Sequence, residues 1–271
     1  MFRKIIYLVI FFFVLQIAGL YSANNVNQRL LSAVEYGNYR MTKTLLDKGA
    51  NPNTRYKNHD TVLIKAIKSN NYKIVKVLLF NGADANSISR RYRWNYTALL
   101  WATRYGRIKL VKLLLKHKAK IYYKGKNAAL ALAAFRGYFN IVKLLVNKGA
   151  RVNIPDKDGV SILIKAAQGG FCHINRPPKK GCNNALLRYL LKKGAKVNLT
   201  DGYGRTALMY AAKNACVSNV KLLLSKGADL FKRSKKGETA LSMAIANHRE
   251  ERNMRVYLKQ VIKYLKKAGR G

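Results

Sequence analysis

Acidic side chains are the scarcest chemistry in this 271-residue chain: 11 Asp and Glu stand against 53 Lys and Arg, a formal net charge of +42. That shortage argues against a carboxylate-built site. The pair Asp156 and Asp158 sits in an Asp-x-Asp-Gly turn, which explains both residues without catalysis. Cysteine is nearly as sparse, with three residues (Cys172, Cys182 and Cys216), and no Cys-x-x-Cys pair or histidine cluster suggests a metal. The four histidines, His59, His117, His173 and His248, recur beside no serine or cysteine with a carboxylate partner. Gly125-Lys126-Asn127 lacks the upstream glycine spacing of a phosphate loop. These absences point to a non-enzymatic protein with no cofactor, metal or small-molecule substrate.

One long apolar run is present. After Arg3 and Lys4, residues Ile5 to Leu20 are apolar apart from Gln16 and Gly19, and small residues follow to Ala23. This reads as a secretory signal peptide over residues 1–23, with an uncleaved anchor as the alternative. The expected location is therefore secreted, periplasmic or otherwise in the cell envelope. Export makes a disulfide reasonable, because oxidising compartments preserve them. Cys172 and Cys182 bracket a loop rich in helix breakers, so a Cys172–Cys182 bridge is the first expectation. Cys172–Cys216 and free thiols are the alternatives. The strong positive charge suits anionic partners, whether nucleic acid, lipopolysaccharide, anionic lipid or acidic protein.

The rest of the chain repeats. Leu-Leu, a cationic residue, Gly-Ala and then Asn recur at Leu45–Asn53, Leu144–Asn153 and Leu190–Asn198. Leu78–Asn86 and Leu223–Asp229 are near copies, and Leu114–Ala119 and Tyr264–Ala268 are degraded ones. Buried leucines, a basic last turn and a glycine that can turn left-handed are the chemistry of a helix end. About two turns upstream of each copy lies Thr-x-Leu-x-x-Ala, as at Thr61–Ala66, Thr97–Ala102, Thr206–Ala211 and Thr239–Ala244. Threonine caps the helix, leucine fills a core and alanine admits a close neighbour. Gly49 to Gly82 and Gly194 to Gly227 are both 33 residues apart.

This pairing of motifs resembles the ankyrin repeat family, whose period is about 33 residues. The resemblance implies an all-α repeat solenoid of about seven ankyrin repeats, each a helix-turn-helix with a β-hairpin-like finger. Their approximate bounds are 24–53, 54–86, 87–122, 123–153, 154–198, 199–231 and 232–271. The family's Pro-Leu-His after the threonine is absent, and Ile64, Leu100, Ile164 and Met209 stand at the histidine position. Packing by these side chains is expected to replace the lost inter-repeat hydrogen bond.

The resemblance also implies protein binding through finger tips and inner helices, on a concave face. Carried over by position, the second repeat offers Lys57, Asp60 and Lys68. The third has a lengthened finger with Arg90, Arg91, Tyr92, Arg93, Trp94 and Tyr96, backed by Arg104 and Tyr105. The fourth adds Lys124, Asn127, Phe135 and Arg136. Arginine and aromatics concentrate interface energy, so the expected partner is a protein with an acidic surface or segment, bound by a monomer. Trp101 is expected half-buried between helices. The alternative is an envelope-associated polyanion binder acting through distributed Lys and Arg charge.

Overall fold

The computed structural model describes residues 25–89, 96–122, 128–156, 159–168, 182–250 and 255–269. The expected leader, the lengthened finger from Arg90 to Asn95, Lys124 and Cys172 lie outside the described residues. The chain divides into two compact units between Lys120 and Ile121.

In the first unit, inner helices α1 (25–35), α3 (Val62–Lys68) and α5 (Ala98–Arg104) alternate with outer helices α2 (Tyr39–Asp47), α4 (Tyr72–Phe80) and α6 (Ile108–Lys116). The short strands β1 (Ile88–Ser89) and β2 (Tyr96–Thr97) pair antiparallel at the base of the third finger. In the second unit the inner helices are α7 (Ala128–Phe135), α9 (Ile162–Gln168), α11 (Ala207–Lys213) and α13 (Ala240–Glu250). Its outer helices are α8 (Phe139–Asn147), α10 (Asn184–Lys192), α12 (Val217–Ser225) and α14 (Arg255–Ala268). Inner helices pack on inner helices and outer on outer: α3 on α5, α4 on α6, α9 on α11, α10 on α12.

The motif residues do what their chemistry suggests. Thr61, Thr97 and Thr206 accept the N–H groups of Ile64, Leu100 and Met209 at 3.2, 3.1 and 3.3 Å, capping α3, α5 and α11. Ala66, Ala102, Ala133, Ala166, Ala211 and Ala244 are all 0% exposed, so neighbouring helices meet at a methyl group. Leu78, Leu114, Leu145, Leu190 and Leu223 are equally sealed. At the histidine position Ile64, Ile164 and Met209 are buried, while Leu100 is only half-buried.

Inter-repeat hydrogen bonding is not lost with that histidine. It is carried by the asparagine that ends each Lys-Gly-Ala-x-x-Asn segment. Asn53 donates from Nδ2 to the Gly82 carbonyl (3.2 Å) and accepts the Asp84 N–H (2.7 Å). Asn153 does the same with Gly194 and Lys196, and Asn198 with Gly227 and Asp229. Asn86 accepts from Lys120 at 2.7 Å. The third repeat has Tyr122 at this position, and one hydroxyl performs both tasks, donating to Gly149 (3.2 Å) and accepting from Arg151 (2.7 Å). We expect Tyr122→Phe to cost about 1 kcal/mol in urea denaturation, and Tyr122→Asn to cost less because both bonds can re-form.

The disulfide differs from expectation. Cys182 pairs with Cys216, with Cα atoms 5.6 Å apart, and neither Cys172–Cys182 nor Cys172–Cys216 forms. The reason lies in the register of the outer helices. Asn183 caps α10 and Cys216 occupies the cap position of α12, so Cys182 lies beside the start of one outer helix and Cys216 at the start of the next. The insertion before Cys182 hid that equivalence in the sequence.

Candidate functional site

The finger and inner-helix side of the first unit gathers the expected aromatic and cationic residues around one that had been set aside. Trp101 is 5% exposed, more buried than expected, and its indole lies between two tyrosines. The Tyr96 ring is 4.9 Å from it and the Tyr105 ring, nearly parallel, is 5.7 Å away. Cations then cover this column. The Lys68 ammonium lies 4.1 Å from the centre of the Trp101 ring. The Arg104 guanidinium approaches Tyr96 and Trp101 at 5.7 and 5.9 Å and donates to the Tyr96 hydroxyl at 3.2 Å. Arg107 lies 4.6 Å from the Tyr105 ring and donates to the Ile67 and Lys68 carbonyls. Such contacts hold flexible side chains in place before any partner arrives.

Helix periodicity makes the cluster. Trp101, Arg104 and Tyr105 follow one another at three- and four-residue spacing along α5 and its cap, so they share a face. Tyr96 comes from β2 directly before the cap residue Thr97, and Lys68 is the last residue of α3. Tyr105 remains 43% exposed and is the cluster's principal open aromatic surface.

Asp60 is not available to a partner, contrary to its expected place on the binding face. It is 2% exposed, accepts from the Ser89 hydroxyl, and pairs with Lys68 at 2.6 Å. Deeper in the second repeat, burial and the Glu35 carboxylate push the Tyr56 phenol above its usual range. It stays protonated and donates to the Leu31 carbonyl at 2.7 Å.

The second unit holds Phe135, half-buried at the end of α7, and Arg136, exposed just after it. Its fingers are pinned by buried carboxylates. Asp156 accepts the Val160 N–H at 2.9 Å and pairs with Lys165 at 2.9 Å, so it ties the finger turn to α9. Asp201 accepts the Tyr210 hydroxyl at 2.7 Å, and Arg205 pairs with Glu238 at 3.1 Å. Gly204 is indispensable to this packing: its φ is +73°, and a Cβ there would meet the Lys235 nitrogen at 3.0 Å.

Most of the described carboxylates are thus engaged in ties within the fold, while Asp47 stands exposed on α2. Glu35 pairs with Lys65 at 2.7 Å, while Asp84 and Asp229 accept the Asn86 and Phe231 N–H groups within their own turns. The outward surface is left cationic.

Family models built on ankyrin repeats match residues 30–125 and 179–267 (three copies) and 125–157 (a single repeat). Among solved structures, the human ASB11 ankyrin repeat domain is 24% identical with a TM-score of 0.68, over 85% of this chain and 96% of that one. The ankyrin repeat domain of Bcl-3, a member of the IkappaB protein family, is 23% identical with a TM-score of 0.64, over 88% and 97% of the two chains.

Proposed function

This chain belongs to the ankyrin repeat family, and we propose that it is an exported, non-enzymatic scaffold that binds another protein through the finger and inner-helix side of its first unit. The observation that carries this reading is the prearranged column Tyr96–Trp101–Tyr105 under Lys68, Arg104 and Arg107. Mixed aromatic and guanidinium surface suits an acidic or amphipathic segment, through charge-assisted hydrogen bonds and stacking. Export is supported by the apolar leader and by a disulfide that only an oxidising compartment preserves.

The test begins with cross-linking and capture of the partner from envelope and secreted fractions. Tyr105→Ala should then weaken its binding by about 1–3 kcal/mol, as expected for a central anchor. The control is Tyr203→Ala, a tyrosine 66% exposed on a finger of the second unit. Equal weakening by the control would move the site off the α5 cluster.

A second reading, a polyanion binder, is favoured by the pairing of most described carboxylates within the fold. With Glu35, Asp60, Asp156 and Glu238 engaged in ion pairs and Asp201 in a tyrosine hydrogen bond, little negative charge offsets the surface lysines. Steep weakening of binding with salt is its signature.

A further inference from the structure

The outer helices of the first unit carry chemistry that the α5 cluster does not use. At 100° per residue, positions one, two, five and nine of a nine-residue helix share one face, within about 100° of arc. On α2 these are Tyr39, Arg40, Lys43 and Asp47; on α4, Tyr72, Lys73, Lys76 and Phe80; on α6, Ile108, Lys109, Lys112 and Lys116. Helix α2 packs on α4 and α4 on α6. The cations therefore fall into two rows, Arg40–Lys73–Lys109 and Lys43–Lys76–Lys112, repeating at the helix spacing of about 10 Å.

All six are exposed, and among the described residues none is in an ion pair. Asp47 is the single carboxylate on these three helices. Large apolar side chains stand among the cations: Tyr39, Tyr72 and Phe80 are 37%, 42% and 62% exposed. The second unit lacks this arrangement. Its nine-residue outer helices α8, α10 and α12 keep the second row as Lys143, Arg188 and Lys221, but their first row reads Asn140, Ala185 and Ser218, and the further cations Arg255, Lys259 and Lys263 lie along the single helix α14. A basic composition alone would not confine the double row to one unit.

Building on the polyanion reading, we propose that the outward face of α2, α4 and α6 is a docking surface for an anionic lipid bilayer. Charge complementarity selects an anionic occupant, and three details select a membrane over a nucleic acid. The array extends in two dimensions, as a headgroup layer does, whereas a single strand follows a line of charge. Five of the six cations are lysines, whose flexible stems lie along apolar surface while the ammonium stays in water. Tyrosine and phenylalanine project beside them, and tyrosine in particular favours the boundary between headgroups and acyl chains.

The test is co-sedimentation of the full chain with vesicles of neutral phosphatidylcholine and with vesicles containing about 30% phosphatidylglycerol, at about 0.1 M salt. The N-terminal apolar run acts on both vesicle types, so the ratio of the two affinities is the readout. A basic residue near such a surface contributes a factor of about five. The variant Lys73→Gln/Lys76→Gln/Lys109→Gln/Lys112→Gln should lower that ratio roughly 600-fold, four such factors multiplied, with an unchanged melting temperature because all four positions are exposed. The charge-matched variant Lys143→Gln/Arg188→Gln/Lys192→Gln/Lys221→Gln in the second unit should leave it nearly unchanged. Equal losses from both variants overturn the localised surface and leave the distributed polyanion reading standing. A wild-type chain with no preference for anionic vesicles overturns the lipid proposal. If that chain instead binds a labelled single-stranded oligonucleotide through the same four lysines, the ligand is nucleic acid. No charge-dependent binding to either probe sinks both readings.

Discussion

Cys216→Ser should lower the stability of the second unit by about 3–4 kcal/mol in urea denaturation. Chain-entropy estimates for a closed loop of this length give that figure, the bonded cysteines being 34 residues apart. The loop encloses all of α10 and α11, so cutting the bond frees two helices of the unfolded chain from a constraint, not merely a surface turn. Cys182→Ser should match it, and dithiothreitol should reduce wild type to the same level while leaving either variant unmoved. Cys172→Ser should be silent. A large loss from Cys172→Ser with none from Cys182→Ser would reverse the pairing. Disulfides persist mainly in oxidising compartments, so the measurement also bears on the export proposed above.

Asp60→Ala is the second large effect, expected to cost about 2–3 kcal/mol. The carboxylate joins three elements: it precedes the α3 cap Thr61, accepts from Ser89 on β1, and pairs at 2.6 Å with Lys68 at the end of α3. Truncation leaves the Lys68 ammonium over Trp101 with no counter-ion, and the Ser89 hydroxyl with no carboxylate to bond. Breaking a fully buried pair costs more. The Lys68 side chain here is 20% exposed, and water recovers part of the loss. Asp60→Asn keeps a hydrogen-bonding oxygen and should fall between wild type and Asp60→Ala. Thermal melting followed by circular dichroism gives the order. An alanine variant as stable as the asparagine one would mean the carboxylate does not hold the finger.

The cadence of the fold was legible because each motif residue answers to local physics. Threonine at a helix start, alanine at a helix crossing and glycine at a left-handed helix end depend on a few neighbours along the chain. Contacts between repeats were less legible. Tyr122 was hidden because a hydroxyl in place of an amide breaks the residue pattern while keeping its spacing. Fixed offsets alone would have revealed it, since Tyr122 stands three residues after Ala119 as Asn53 does after Ala50.

The proposed binding surface was partly visible. Tyr96, Arg104 and Tyr105 were chosen as exposed contacts and do come together, but what organises them is Trp101, whose large ring reads simply as core. Asp60 was misassigned because a charged residue in a finger looks solvated until its partners, Lys68 and Ser89, are placed. Lysines spaced along separate helices became a grid only once the packing of α2, α4 and α6 was known.

Both ends of the insertion in the fifth repeat are fastened to neighbouring repeats. Asn214 donates from Nδ2 to the Ala167 and Gln168 carbonyls at the end of α9. On the other side Asn183 donates to the Gly137 carbonyl at 3.0 Å, next to the Cys182–Cys216 bond. Entry and exit are thus set by the stack and not by the residues between them. Doubling the length of such a segment costs only about 0.6 kcal/mol of closure entropy. The register of α9 and α10 is therefore held by Asn214, Asn183 and the Cys182–Cys216 bond, which a change of sequence or length between the two helices leaves in place.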